Sequence, residues 1–157
     1  MQSRPLTLFL DFDGVLNNDN FLRHQKNHVP ASEHKLFDPT NIASLNALCA
    51  KLPIGQIVIS STWKKNRTLN EIRKLLSREG FLFAERIISV TPELGIQYEA
   101  RADEIKEWIS NNGPTAILVL DDFDLTSSLS EGFFKVNSAD GLTADLVASI
   151  VSKYSAK

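Results

Sequence analysis

Three apolar runs of strand length in this chain each stop abruptly in polar residues, and that recurrence restricts the fold more than any other feature. Leu6–Leu10 runs into Asp11-Phe12-Asp13-Gly14, Gln56–Ile59 into Ser60-Ser61-Thr62-Trp63, and Ala116–Leu120 into Asp121-Asp122. Such runs read as strands buried on both faces, the kind found in parallel sheets. Segments with helical spacing lie between them, so strands alternate with helices and stacked βα units with a mostly parallel sheet are expected. In an open parallel sheet, ligands bind outside the carboxyl ends of the strands. The three polar clusters would meet there.

The helical segments are legible from their periodicity. Pro39-Thr40-Asn41 opens a helix to about Lys51, with Thr40 or Asn41 as caps, and Pro53-Ile54-Gly55 breaks the chain after it. Thr68 to Arg78 carries Leu69, Ile72, Leu75 and Leu76 at three- and four-residue steps and closes at Gly80. A short strand follows at Arg86 to Val90, then a loop at Thr91-Pro92-Glu93-Leu94-Gly95. In Arg101 to Asn111, Ile105, Trp108 and Ile109 share a face, which makes Trp108 a core residue. Phe133 to Val136 reads as a last strand and Thr143 to Tyr154 as a last helix. Residues 17–38 carry Asn17, Asn18, Asp19, Asn20, three histidines and Pro30 without sustained periodicity, so a loop or flap is expected there.

A chain of 157 residues is of ordinary size for one domain, 1–157, able to bury a core without staples. Its net charge of −2 provides no global basic field of the kind that drives tight, sequence-independent nucleic-acid binding, although a local basic patch remains open. The single cysteine, Cys49, cannot form an internal disulfide, and Ile42, Leu45, Leu48 and Leu52 around it recur at helical spacing, so it is read as core filler in a reducing compartment. The apolar run before Asp11 is too short for a signal peptide or a membrane span. A cytoplasmic protein with no membrane partner is expected, of open oligomeric state.

Asp11 and Asp13 are two apart, so on a continuing strand their side chains would face one point beyond the sheet edge. Two carboxylates that close repel unless a cation or a shared proton relieves them. Hard oxygen ligands of this type suit Mg²⁺, which keeps several waters and binds through one or two carboxylates plus substrate phosphate.

The sequence Asp11-Phe12-Asp13-Gly14-Val15-Leu16 resembles the first motif of the haloacid dehalogenase-like (HAD) hydrolase superfamily. Ile57-Val58-Ile59-Ser60 is similar to its second motif and Leu118-Val119-Leu120-Asp121-Asp122 to its fourth. For the third motif, a basic residue on a helix before the last catalytic strand, Arg101 and Lys106 compete. The Ser-Ser-Thr-Trp-Lys, Arg-x-x-Glu-Ile-x-x-Trp-Ile and Leu-Asp-Asp words resemble the small HAD domains of RNA-repair proteins. The resemblance implies a three-layer αβα, Rossmann-like fold. It also implies a Mg²⁺-dependent phosphatase acting through an aspartyl-phosphate.

On that resemblance Asp11 is the nucleophile that attacks phosphorus. Asp13 is the acid that protonates the leaving oxygen and the base that activates water. Ser60 donates to a phosphoryl oxygen, and Arg101 or Lys106 neutralises the transferring group. The Asp11 carboxylate, the Asp13 carbonyl and Asp122 are the implied metal ligands, with Asp121 supporting the metal shell and the basic residue. Gly14 fits a turn where the backbone passes close to metal and phosphate. Ser61 would bind substrate or cap the following turn. Lys64, Lys65 and Arg67 would contact a phosphodiester backbone or form a solvated face. Trp63 would stack on a base or pack on the adjacent helix. Asp124 would support the site or be a polar loop residue, and His24, His28 and His34 lack the cysteine or regular spacing of a zinc site.

Family members acting on small metabolites usually carry a cap domain. The stretches from Leu16 to Thr40 and from Trp63 to Gln97 are each too short for a full one. By resemblance, a capless member has an open site suited to large substrates, and a nucleic-acid 3′ or 5′ phosphate is the first expectation. The alternatives are a small-metabolite or nucleotide phosphatase, a phosphoprotein phosphatase, or a non-catalytic Mg²⁺/phosphate-binding module. A receiver-like signalling domain has its acidic pair and phosphoacceptor in the opposite order, and a phosphomutase needs a cap.

Overall fold

The computed structural model describes residues 4–95, 100–114 and 116–156. Five strands, β1 (Leu6–Leu10), β2 (Ile54–Ile59), β3 (Ile87–Val90), β4 (Ile117–Asp121) and β5 (Phe133–Lys135), form one sheet in the order β3-β2-β1-β4-β5. All four pairings are parallel. The chain moves outward from β1 through β2 to β3, then returns to the other side of β1 with β4. The switch in direction therefore falls between β1 and β4, the place where such sheets open a binding crevice.

Alternation along β1 assigns the layers. Leu6, Leu8 and Leu10 point into a core shared with α2 (Pro39–Lys51), α3 (Leu69–Arg78) and α5 (Ala144–Ser155). Phe9 points the other way, against Ala102, Ile105 and Trp108 of α4 (Ala100–Asn112), with Val58 and Val119 beside it. Trp108 lies edge-on to Phe9 at 5.4 Å and is a core residue as expected. The result is a three-layer α/β architecture of the Rossmann-like, HAD type. Cys49 is buried on α2, and its thiol is pushed up to about 12, first by burial.

Local chemistry sets the helix starts. The Thr68 hydroxyl accepts from Glu71 N while the Glu71 carboxylate accepts from Thr68 N, a reciprocal cap that fixes α3. At α2 the cap is Asp38, whose carboxylate accepts from Thr40 N at 2.9 Å; Thr40 and Asn41 lie inside the helix. Pro39 at the first helical position displaces the cap by a residue or two, because its fixed φ suits N1.

The stretch 17–38 corrects the expectation of a loop or flap: Asp19–His28 is a helix, α1, followed by a 3-10 turn at Ala31–Glu33. An apolar stripe is missing because Gln25 is its one buried residue. Its ends provide the ordering instead. Asn18 caps it, accepting from Phe21 N at 2.8 Å, and the Gln25 side chain exchanges two hydrogen bonds with the Lys35 backbone. Asn18 also donates to Asp38 and Asn41, tying α1 to the start of α2. No helix among the described residues is long and apolar enough to cross a membrane.

Candidate active site

Parallel register places the first side chains of the site. Leu10 lies opposite both Ile59 and Leu120, so the next residues of the three strands, Asp11, Ser60 and Asp121, stand level at the carboxyl edge. Backbone bonds continue the alignment, from Asp11 N to Leu120 O at 3.2 Å and from Ser60 N to Leu10 O at 3.1 Å. All three residues are buried.

Helix α4 delivers Arg101 into this group. Its Nη1 donates to Asp121 Oδ2 at 2.6 Å and lies 3.2 Å from Asp11 Oδ1, with the guanidinium itself buried. Lys106, the competing base, is exposed farther along the same helix. Asp121 Oδ1 also accepts from Phe123 N. Asp11, Asp121 and Asp122 each offer an oxygen within 4.8 Å of the others, and among the described residues they form the one acidic cluster able to hold a metal.

One guanidinium stands against three clustered carboxylates, and the imbalance falls on Asp11 and Asp122. Burial, with Asp121 and Asp122, drives the Asp11 carboxyl up to about 9 against the pull of Arg101. Asp122 is raised as well, chiefly by burial. Burial opposes the charge of Arg101, but Asp11 and Asp121 more than offset this and raise it. A hard divalent cation fits such a donor set, since it would replace the proton on Asp11 and relieve the repulsion. Ser60 Oγ is the one buried side-chain polar atom without a hydrogen-bond partner among the described residues. An orphaned buried hydroxyl at this edge is what an incoming phosphoryl oxygen would satisfy.

Gly14 has φ +79°, and a Cβ there would overlap the Asp122 carboxylate. Glycine is therefore required twice, by the left-handed backbone and by the close passage of Asp122.

The strand on which Asp11 and Asp13 were expected to face one point does not continue that far. Strand β1 ends at Leu10, so its alternation does not carry to Asp13, which lies exposed in the turn. Asp13 Oδ1 accepts from Asn17 Nδ2 at 2.8 Å and from Trp63 Nε1 at 2.9 Å. Oδ2 accepts no hydrogen bond among the described residues. Asn17 Oδ1 in turn accepts from Gly14 N, closing the turn on itself. Trp63 packs against Phe12 at 5.8 Å and Phe37 at 5.3 Å, with the Arg67 guanidinium 4.9 Å over its ring.

Lys64 is neither solvated nor available to an incoming backbone. It is buried, with Nζ 3.0 Å from Glu104 Oε1 and donating to Thr91 Oγ1 at 2.8 Å. Burial lowers its pKa, against the support of Glu104. Glu104 Oε2 accepts from Leu94 N, so this pair ties α4 to the segments after β2 and β3. Ser61 Oγ accepts from Trp63 N and caps the 3-10 turn Thr62–Lys64. Asp124 is exposed and accepts from Thr126, away from the acidic cluster. His24 and His28 are exposed with rings 5.1 Å apart, and His34 contacts the Gln25 and Val29 carbonyls; none joins the cluster.

Asn17 and Glu104 are residues of the candidate site that sequence reasoning did not place there, and for Trp63 it offered stacking or packing but no bond to Asp13. Glu104 was within reach, because the i,i+3 spacing to Arg101 puts both on one helix face. The bonds of Asn17 and Trp63 to Asp13 depend on how the turn closes and carry no sequence signal.

An all-parallel sheet with buried acids at its switch point and a basic residue arriving from a flanking helix defines a HAD-type domain. Residues 7–147 match the family described as the HAD domain in Swiss Army Knife RNA repair proteins, and the chain belongs to that family. No curated protein matches the chain.

Proposed function

We propose that this chain is a Mg²⁺-dependent phosphomonoesterase that works through an aspartyl-phosphate on Asp11, with a phosphorylated nucleic-acid end as its substrate. The observation that carries the proposal is the incomplete electrostatics around Asp11: three carboxylates against one guanidinium, beside a buried hydroxyl without a partner. A cation and a phosphate together would complete it. Membership of a HAD domain family supports the reaction class, and the description of that family as one of RNA repair proteins supports the substrate.

Asp11, Asp122 and the Asp13 carbonyl would hold Mg²⁺, which when bound lowers the repulsion between an anionic nucleophile and an anionic phosphate. Asp11 attacks phosphorus, forming the Asp11–phosphorus bond as the bond to the leaving oxygen breaks. Asp13 supplies the proton to that oxygen through Oδ2, the atom left free by Asn17 and Trp63. Water then attacks the same phosphorus, its proton passes to Asp13, and Asp11 leaves as carboxylate. Ser60 Oγ–H and Arg101 hold the transferring oxygens, and Asp121 fixes Arg101.

Hydrolysis of p-nitrophenyl phosphate with and without Mg²⁺, in wild type and Asp11→Asn, tests the mechanism. Turnover is expected only with Mg²⁺ and only in wild type; undiminished turnover in Asp11→Asn would sink the covalent route. A panel of phosphorylated oligonucleotides, nucleotides and phosphopeptides tests the substrate.

A further inference from the structure

Beside the active site, α3 presents a groove of about 250 Å³ lined by Arg67, Glu71, Lys74, Leu75 and Arg78. We propose that this groove carries the phosphodiester backbone of a single nucleic-acid strand whose end is processed at Asp11. The inference rests on the substrate reading above and adds the surface that would grip the rest of the strand.

The first argument is charge. From Lys64 to Glu79 the chain holds Lys64, Lys65, Arg67, Arg73, Lys74 and Arg78 against Glu71 and Glu79, within a protein whose net charge is −2. Arg67, Lys74 and Arg78 are exposed, and among the described residues none of them has an acidic partner. Lys64 and Arg73 are otherwise engaged, with Glu104 and with the Ile87 carbonyl. Glu71, the acidic residue in the groove, accepts from Thr68 N at the positive end of α3, where the helix dipole offsets its charge. Three exposed cations without an acidic partner among the described residues therefore dominate the groove, Arg67 also donating to the Trp63 carbonyl at 3.1 Å.

The second argument is position. Spacings of three and four residues from Glu71 through Lys74 to Arg78 keep these side chains on one face of α3, spanning about 10 Å along its axis, and Arg67 stands just before the Thr68 cap at the start of that line. That line starts at the catalytic turn: Arg67 covers the ring of Trp63, and Trp63 donates to Asp13. A strand lying on α3 would thus bring its end to the acid that must protonate the leaving oxygen. Two of the three cations are arginines, whose planar forks match phosphate oxygens. Phosphate contacts of this kind are sequence-independent and salt-sensitive.

The test is fluorescence anisotropy of a labelled single-stranded RNA 12-mer with no terminal phosphate, read across a salt series. Wild type should bind, with affinity falling as salt rises. Lys74→Glu/Arg78→Glu should weaken binding tenfold or more and reduce the salt slope by about two. Lys51→Glu/Lys153→Glu makes the same change in net charge elsewhere, Lys51 being at the end of α2 that leads into the start of β2, and should bind like wild type. Lys74→Gln/Arg78→Gln, with an intermediate loss, guards against misfolding of the first variant, and thermal melting checks all four proteins. No binding by wild type at low salt, equal loss in both double-Glu variants, unchanged binding in the groove variants, or competition by polyglutamate as strong as by RNA would each overturn the proposal. Turnover of p-nitrophenyl phosphate by wild type tests the phosphatase reading separately, so either can fail alone.

Discussion

Replacing the proposed nucleophile should make the metal-free protein more stable. Asp11 lies within 4.8 Å of acceptor oxygens on both Asp121 and Asp122, and 3.2 Å from Arg101 Nη1. At an effective dielectric constant of about 20, each repulsion is worth at least ~3.5 kcal/mol and the attraction ~5 kcal/mol. The ionised carboxylate is thus opposed by about 2 kcal/mol even before the cost of burial. Asp11→Asn removes that opposition, and in a chain of this length the gain corresponds to a rise in Tm of about 4–8 °C. The pH dependence has a definite sign. The Asp11 carboxyl is raised to about 9 in the folded state from 3.8, so the native chain holds a proton that the unfolded chain has lost. Its contribution is full below the unfolded value and disappears as pH rises through 9, so the advantage of the Asn variant should widen by up to ~1.4 kcal/mol per pH unit across that window. Melting curves in chelator from pH 5 to 9.5, repeated with Mg²⁺, provide the assay. Wild type should gain from Mg²⁺ and the variant should not, so their order should reverse. An Asn variant that melts below wild type at pH 8 without metal would refute the reasoning, because it would mean that the Arg101 contact outweighs both repulsions.

Arg101→Met should cost about 3–5 kcal/mol in urea unfolding, since it leaves buried Asp11 and Asp121 without their cation; a loss below 1 kcal/mol would show that the pair is held otherwise. Gly14→Ala should lose at least ~1–2 kcal/mol from its φ of +79° alone, with Mg²⁺-dependent turnover falling further as Asp122 is displaced. Trp63→Phe keeps the contacts with Phe12 and Phe37 but deletes the hydrogen bond to Asp13, so stability should change by about 1 kcal/mol while the pH profile of kcat shifts. An unshifted profile would restrict Trp63 to packing.

How much could be read in advance follows from the range of each interaction. Apolar runs at Leu6–Leu10, Gln56–Ile59 and Ala116–Leu120 and helical spacing in α2 to α5 are set by residues a few positions apart. The sequence by itself therefore determined the α/β class, the parallel sheet, and the arrival of Asp11, Ser60 and Asp121 at strand ends. Helix α1 could not supply such a signal, because that segment is a polar helix stabilised by Asn18 and Gln25 bonding to residues beyond its own turn. Tertiary structure alone decided that Arg101 and not Lys106 reaches Asp11, that Lys64 turns inward to Glu104, and that one oxygen of Asp13 is taken by Asn17 and Trp63. Each of those outcomes depends on which side chains from distant segments meet at the sheet edge, and burial there selects between partners that local spacing leaves equivalent.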